Sequence, residues 1–198
     1  MKNKEMNKLI KHFEYYFKQT CKNIYHDDVS GGIHIDILLF EPNDQYPFYK
    51  LVTMGASDYA MPKVNSTLPN RNEYIIFLSK DVEVNSEDFN WYINFISYVS
   101  RYAFYENANI SVGHSIELEP NSHSSFKNAF ILFPQIIEDS WILRCQLGLF
   151  KTCACLQVMP ITEIDNAKNL SIGPEEFHNY FYPEEGEPIF LANRIVIE

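Results

Sequence analysis

The sequence is poor in glycine, and it has no long apolar run. Only 7 of its 198 residues are glycines, and because they are scattered they form no glycine-rich loop of the kind that holds phosphates. No apolar run reaches the ~18 residues of a membrane-spanning helix. The first twenty residues are basic, but they lack the apolar stretch and the small-residue cleavage site of a signal peptide. We therefore expect a cytoplasmic protein.

Cysteine is also scarce, with four residues in the whole chain. Cys153 and Cys155 would share one face of a strand. A zinc site of the usual kind needs a second close pair, which the sequence does not contain. Apolar surroundings raise the pKa of a thiol, and this disfavours Cys145, Cys153 or Cys155 as a nucleophile. We expect buried free thiols.

Positive charge is the third shortage. The chain has 16 Lys and Arg against 26 Asp and Glu, a net charge of −10. Six lysines and two glutamates give residues 1–25 a charge of +4, so residues 26–198 carry the balance of −14. An acidic body repels nucleic-acid phosphates and attracts a basic protein partner. Solubility alone explains the acidity equally well.

The chain begins with apolar residues at helical spacing, separated by lysines. This pattern predicts an amphipathic helix within residues 1–24, before one domain that spans residues 25–198. Glu5 and Glu14 interrupt the basic face of the helix, which disfavours a membrane-surface role. We expect this helix to pack on the domain through Met6, Leu9, Ile10, Phe13, Tyr16 and Phe17.

Strands are predicted in blocks. Between Ile33 and Leu39 apolar residues alternate with His34 and Asp36, which places the two polar side chains on one face and the apolar ones on the other. Further apolar runs bounded by turn residues predict strands within residues 46–55, 73–79, 109–118, 126–134, 140–150 and 152–162, and a last candidate at 188–198.

The strongest predicted helix covers residues 86–104, with Asn85 as its cap and Asp88 reaching back to it. The helix is aromatic on two sides, so we expect it between layers. Two short helices are expected after Thr162 and after Pro174. Because the strands come in blocks, the sequence predicts an α+β fold with one mixed, largely antiparallel sheet packed with helices.

His34 and Asp36 form the first candidate site. On one strand face they could bind a metal, with His114 as a third ligand if its strand lay adjacent. No further pair has recognisable ligand spacing, so a hydrogen bond from His34 to Asp36 or to a loop backbone is the favoured interpretation. We expect no metal site and no cofactor.

Thr53, Ser57 and Asp58 cluster around Gly55 and form the second candidate. The segment is not the G-x-S-x-G elbow of a serine hydrolase, because Tyr59 stands where the second glycine belongs. Serine catalysis also needs a base oriented by a third group, which the sequence does not identify. We therefore expect no catalytic residue, and we interpret the segment as a self-bonded turn in which Gly55 permits a strained backbone.

The order of these segments resembles the Suppressor of Fused domain family over roughly residues 25–180. The most specific part is L-V-T-M-G-A-S-D-Y-A-M-P at 51–62, whose strand, T-x-G-x-S-D turn and following M-P match the family pattern. The turn contributes Thr53, Gly55, Ser57 and Asp58, and the other motif positions are His34, Asp36, Gly113 and His114.

The resemblance implies a protein-binding domain with no established catalytic activity. In animals such a domain regulates a transcription factor, and in bacteria such domains resemble immunity proteins encoded beside secreted polymorphic toxins, commonly nucleases. The chain lacks the large C-terminal extension of the animal proteins, which favours the bacterial role. The leading hypothesis is therefore a cytoplasmic immunity protein that blocks one basic cognate toxin domain, with the turn structural or bordering the partner surface.

Two other functions stay open at this point. The first is a regulatory adaptor that binds a peptide strand or a transcription factor. The second, and the less favoured, is an enzyme that uses His34, Asp36 and His114. Neither nucleic acid nor a membrane is expected to bind directly.

Overall fold

One mixed sheet with helices on both faces organises the chain. The computed structural model describes residues 1–26, 32–118, 125–184 and 190–193. Its helices are α1 Asn3–Phe17, α2 Glu87–Tyr105, α3 Glu163–Ile172 and α4 Pro174–Phe181. Its strands are β1 Asn23–Tyr25, β2 Asp36–Phe40, β3 Phe48–Met54, β4 Asn72–Ser79, β5 Ser115–Glu117, β6 Asn128–Leu132, β7 Arg144–Gln146 and β8 Thr152–Ile161.

The strands of the described chain form an eight-stranded sheet in the order β1-β2-β3-β4-β8-β6-β5, with β7 added to β8. Every neighbouring pair is antiparallel except β4 and β8, which run parallel. Strands that follow each other closely in the chain form antiparallel pairs through short connections, whereas the β4–β8 pair needs the long crossover that contains α2. The α+β fold with a mixed, largely antiparallel sheet is confirmed.

The sheet separates two apolar cores. On one face α2 and α4 cover the sheet with side chains such as Phe89 and Phe177. On the other face α1 and the β7 segment pack on β2, β3, β4 and β8. Leu51 and Val52 are consecutive residues of β3, and they point into different cores. All five residues of β2 are buried, because the strand is covered on both faces. Four of them, residues 37–40, form the continuous apolar run that is typical of such a strand.

The first helix is confirmed, and it belongs to the second core. Leu9, Phe13 and Phe17 have no exposed surface, and their spacing of four residues puts them on one face of α1. The Phe17 ring packs edge-on against Phe40 of β2, with centroids 5.1 Å apart. No helix in the described ranges is long and apolar enough to cross a membrane.

Several predicted boundaries were wrong. Helix α2 is capped by Ser86, whose hydroxyl accepts from the Phe89 N–H at 3.1 Å, whereas Asn85 takes a left-handed conformation with φ 68°. Strand β1 was not predicted, and only three residues of the 109–118 run are in a strand. The 140–150 run begins as a 3-10 helix over Ser140–Leu143 before β7.

The two short C-terminal helices are confirmed. Thr162 and Asp165 form a reciprocal capping box at the start of α3, with distances of 3.1 and 3.0 Å. Pro174 occupies the first turn of α4, where its missing N–H costs nothing. The strand candidate at 188–198 lies mostly outside the described residues, and the described residues 190–193 are not in a strand.

Candidate functional site

The motif turn after β3 is built around Glu73, a buried carboxylate on β4. Glu73 has no exposed surface. Its Oε2 accepts from the Thr53 hydroxyl at 2.6 Å. Its Oε1 accepts from the N–H of Gly55 at 3.0 Å, and from the N–H and hydroxyl of Ser57 at 3.1 and 2.7 Å. Four donors from the turn therefore surround one acidic group.

The electrostatics of Glu73 reflect two opposing effects. Burial disfavours the charged form and raises the pKa of the Glu73 carboxyl, while the donors of Thr53, Ser57 and Gly55 act to lower it. The Thr53 hydroxyl donates to Glu73 and accepts from the Tyr74 N–H at 2.8 Å, so both of its hydrogen-bonding functions are used. This network stabilises the turn, because its donors and acceptors form hydrogen bonds with one another.

The Ser57 hydroxyl is not available as a nucleophile. Ser57 is fully buried, and its Oγ donates to Glu73. A hydrolase serine must reach its substrate and must give its proton to a base. Ser57 does not reach the surface, and the acceptor of its proton, Glu73, already binds three other donors of the turn, which is consistent with the sequence-based interpretation.

Gly55 has a conformation that only glycine accommodates here. Its φ is +130°, and a Cβ at this position would lie 2.2 Å from the carbonyl oxygen of His34. The backbone of the turn closes on itself through Asp58 N–H to Gly55 O at 3.0 Å. The prediction of a self-bonded turn therefore describes the backbone, but it is wrong for the side chains of Thr53 and Ser57, which bind Glu73.

Asp58 points away from Glu73 and links three elements. Its carboxylate pairs with Lys151 at 2.7 Å and with the N-terminal ammonium of Met1. Lys151 also binds Glu5 of α1 at 3.0 Å. Burial acts to raise the pKa of Asp58, but Lys151 and the ammonium of Met1 outweigh it and hold the pKa below its ordinary value. Asp58 thereby connects the turn to α1 and to the β7–β8 hairpin.

Arg71 holds the other side of the turn. Its Nη1 donates to the carbonyl oxygens of Ser57 and Asp58 at 2.7 and 2.9 Å. Arg71 and Glu73 are both absent from the sequence-based site. The sequence does contain one signal for this site, since Glu73 stands at the start of an apolar strand. A carboxylate that is buried there needs hydrogen-bond donors from neighbouring residues.

The first candidate site, His34 and Asp36, includes a third residue, His26. His34 Nε2 lies 2.9 Å from Asp36 Oδ1, and His26 Nδ1 lies 3.2 Å from the same oxygen. The antiparallel register of β1 and β2 places Tyr25 opposite Ile37, which brings the next residue, His26, to Asp36. His26 is absent from the sequence-based site because β1 was not predicted.

His114 is not near His34 and Asp36. It lies directly before β5, and four strands separate β5 from β2 in the sheet, so its suggested role as the third ligand was wrong. The neighbouring Gly113 has φ +86°, and a Cβ there would lie 2.9 Å from Pro174. The lack of a side chain at Gly113 therefore lets the start of α4 lie close to the segment before β5.

Three of the four cysteines are buried free thiols, as expected. Cys145, Cys153 and Cys155 lie in the second core, and Cys21 is partly exposed. Burial raises the pKa of the Cys155 thiol, and a hydrogen bond with Cys153 together with burial raises the pKa of Cys145. These thiols are consequently poor nucleophiles.

Helices α3 and α4 expose apolar and acidic side chains. Ile164 and Leu170 are 73% and 76% exposed. Glu163 in the first turn of α3, and Glu175 and Glu176 in the first turn of α4, are exposed as well. Residues 163–184 contain five acidic residues and one lysine, a net charge of −4. We call Glu163, Ile164, Leu170, Glu175 and Glu176 the α3–α4 face.

A model of the family described as Suppressor of fused protein (SUFU) matches residues 31–194. No curated protein matches the chain. Among solved structures, a protein described as a SUFU homolog from Neisseria gonorrhoeae is similar with a TM-score of 0.65 and 14% identity, over 96% of this chain and 95% of that one.

Two further solved structures are similar at 14% identity. Drosophila Suppressor of Fused has a TM-score of 0.63, over 89% of this chain and 46% of its own. The Sufu–Fu complex has a TM-score of 0.60, over 91% of this chain and 84% of the matched chain.

Proposed function

Because the chain belongs to the Suppressor of Fused family, we propose that it acts by binding a protein, and that this protein is a cognate toxin domain which it neutralises in the cytoplasm. Proteins of this family are regulatory binding proteins and not known enzymes. A chain with this fold was solved as a Sufu–Fu complex, which supports protein binding as the coarse function. The bacterial resemblance supports the toxin as the partner.

The α3–α4 face is the observation that carries this proposal. Ile164 and Leu170 project apolar surface into solvent, and interfaces bury such groups at their centre within a polar rim. Glu163, Glu175 and Glu176 on the same two helices are exposed and acidic, and Lys168 is the one lysine or arginine among residues 163–184. A partner that fits this face has a basic surface with an apolar depression.

A nuclease toxin matches this description because it needs a basic cleft to hold phosphates. These glutamates would occupy the place of the phosphate substrate, and the body of the immunity protein would block access to the cleft. The charge of −14 over residues 26–198 would also speed the encounter. Inhibition would thus be both steric and electrostatic.

The experiment is co-expression with the toxin encoded beside this gene. We expect the wild-type chain to restore growth, and the double variant Ile164→Arg/Leu170→Arg to lose most of the protection. The matched control is Tyr15→Arg on α1, because Tyr15 is 62% exposed on the opposite side of the sheet. All three chains should melt at similar temperatures, since the substituted side chains lie in solvent.

Two results would count against the proposal. Failure of the wild-type chain to protect against the adjacent toxin removes the immunity function and favours the adaptor. Full protection by the Ile164→Arg/Leu170→Arg variant leaves the immunity function in place and shows that the contact lies elsewhere.

A further inference from the structure

His26, His34 and Asp36 bring three potential metal ligands to one point on the surface. Their ligand atoms all lie within 4.8 Å of one another, a clustering that no other group of His, Cys, Asp and Glu in the described ranges shows. We propose that these residues form a three-ligand Zn²⁺ site. This departs from the expectation of no metal, which rested on the lack of a further His, Asp or Glu pair with recognisable ligand spacing in the sequence.

The distances suit a zinc ion. The Asp36 Oδ1 atom lies 3.2 Å from His26 Nδ1 and 2.9 Å from His34 Nε2. Zinc binds imidazole nitrogen and carboxylate oxygen at about 2.0–2.2 Å, so neighbouring ligand atoms of a tetrahedral site are about 3.4 Å apart. A small outward rotation of each imidazole opens enough space for the ion.

The backbone fixes the ligands in place before any ion arrives. Asp36 is 4% exposed, and it is held between β1 and β3, where it pairs with Met54. The β1–β2 register positions His26 across from it. The carbonyl of His34 packs against Gly55, so the backbone beside this ligand is fixed by the motif turn.

The two imidazoles remain open to solvent, which gives an ion its path of entry. Their side chains are 71% and 61% exposed. Two imidazoles and one carboxylate form a donor set that suits zinc and disfavours Mg²⁺ and Ca²⁺, which prefer oxygen ligands. Three protein ligands leave one tetrahedral position, which water fills. Zinc would tie the edge strand β1 to the start of β2.

The test uses the full chain, treated with EDTA, dialysed, and titrated with Zn²⁺ alone in a calorimeter. We expect one Zn²⁺ per chain. His26→Ala and His34→Ala should each weaken binding by at least about tenfold, as loss of a supporting contact alone already does at many metal sites. The matched control is His114→Ala at the far end of the sheet, which should bind as the wild type does.

Thermal melting provides the second measurement, because an ion that binds only the folded chain raises the melting temperature. Zn²⁺ should raise the midpoint of the wild type and of His114→Ala, and it should raise that of His34→Ala by less at the same Zn²⁺ concentration. The proposal is overturned if the wild type takes up no stoichiometric Zn²⁺. It is equally overturned if His26→Ala and His34→Ala bind as tightly as the wild type, since the histidines would then not be ligands.

Discussion

At the scale of single residues, the motif turn depends on one carboxylate that lies outside the motif. Glu73 accepts from Thr53, Gly55 and Ser57 while it is fully buried. A buried acceptor and its donors satisfy one another, and removing the acceptor leaves the donors with no water to replace it. The stability of the turn therefore resides in the contact between β4 and the segment after β3.

This contact predicts the effect of Glu73→Gln. An amide nitrogen would replace one oxygen that now faces donors, and burial would keep water from relieving the mismatch, so we expect a loss of ~2–4 kcal/mol in the free energy of unfolding. Urea unfolding measures it. Glu175→Gln is the matched control, because the same change is made on the surface of α4. Equal stability of both variants would show that Glu73 does not hold the turn.

Gly55 and Asp58 should differ in their effects. Gly55→Ala places a Cβ against the carbonyl oxygen of His34, at a residue whose φ is +130°. Backbone strain from such a positive φ costs ~1–3 kcal/mol before the clash is counted. Asp58→Ala removes a partly exposed ion pair, for which ~1 kcal/mol or less is typical. Thermal midpoints should therefore fall further for Gly55→Ala. A larger fall for Asp58→Ala would contradict the outward position of that carboxylate.

At the scale of elements, the helices could be predicted and the shortest strands could not. Helices α3 and α4 start at a capping threonine and at a proline, which are local signals. Strand β1 has three residues, two of them exposed, so it shows no alternation. The partners of Glu73 lie 16 to 20 residues away in the chain, and no local pattern could reveal them. His26 was missed for the same reason as β1.

The packing of α1 on the β2–β3 hairpin includes a buried lysine. Lys50 has no exposed surface, and its Nζ donates to the carbonyls of Glu41 and Tyr46 at 2.8 and 3.2 Å. The ammonium lies 5.9 Å from the Phe17 ring centre and 5.4 Å from that of Phe48. Burial lowers the pKa of Lys50 to about 8, so the folded chain disfavours its charge.

Because the pKa of Lys50 is lowered in the folded chain, the stability of the fold should increase as the pH rises. In the unfolded chain a lysine titrates near its ordinary pKa of about 10.4. Below pH 8 the lysine is charged in both states and the burial cost is complete. As the pH rises above 8 the folded chain loses the proton first, and stability increases up to the unfolded pKa by about 2–3 kcal/mol.

Lys50→Met tests this prediction, because the other titrating groups are shared and cancel in the comparison. Between pH 7 and 9.5 we expect the wild type to gain stability relative to Lys50→Met in urea unfolding. Parallel curves for the two chains would show that Lys50 is not desolvated in the way the packing of α1 implies.

At the scale of the whole molecule, charge and apolar surface should control different steps of partner binding. The −14 of residues 26–198 acts at a distance, and it should raise the association rate with a basic toxin by ~10–10³-fold at low salt. Salt shortens the Debye length to ~8 Å near physiological strength and weakens this attraction. Ile164 and Leu170 act only after contact, so burial of these side chains should set the dissociation rate.

The last prediction separates the two steps with matched triple and double variants in stopped-flow experiments. Glu163→Gln/Glu175→Gln/Glu176→Gln should slow association and flatten its salt dependence, with little change in dissociation. Ile164→Ala/Leu170→Ala should speed dissociation and leave the salt dependence of association unchanged. An association rate that salt does not change would remove the electrostatic part of the mechanism and leave immunity intact. A dissociation rate unaffected by the alanines would instead exclude the α3–α4 face as the site where the toxin is held.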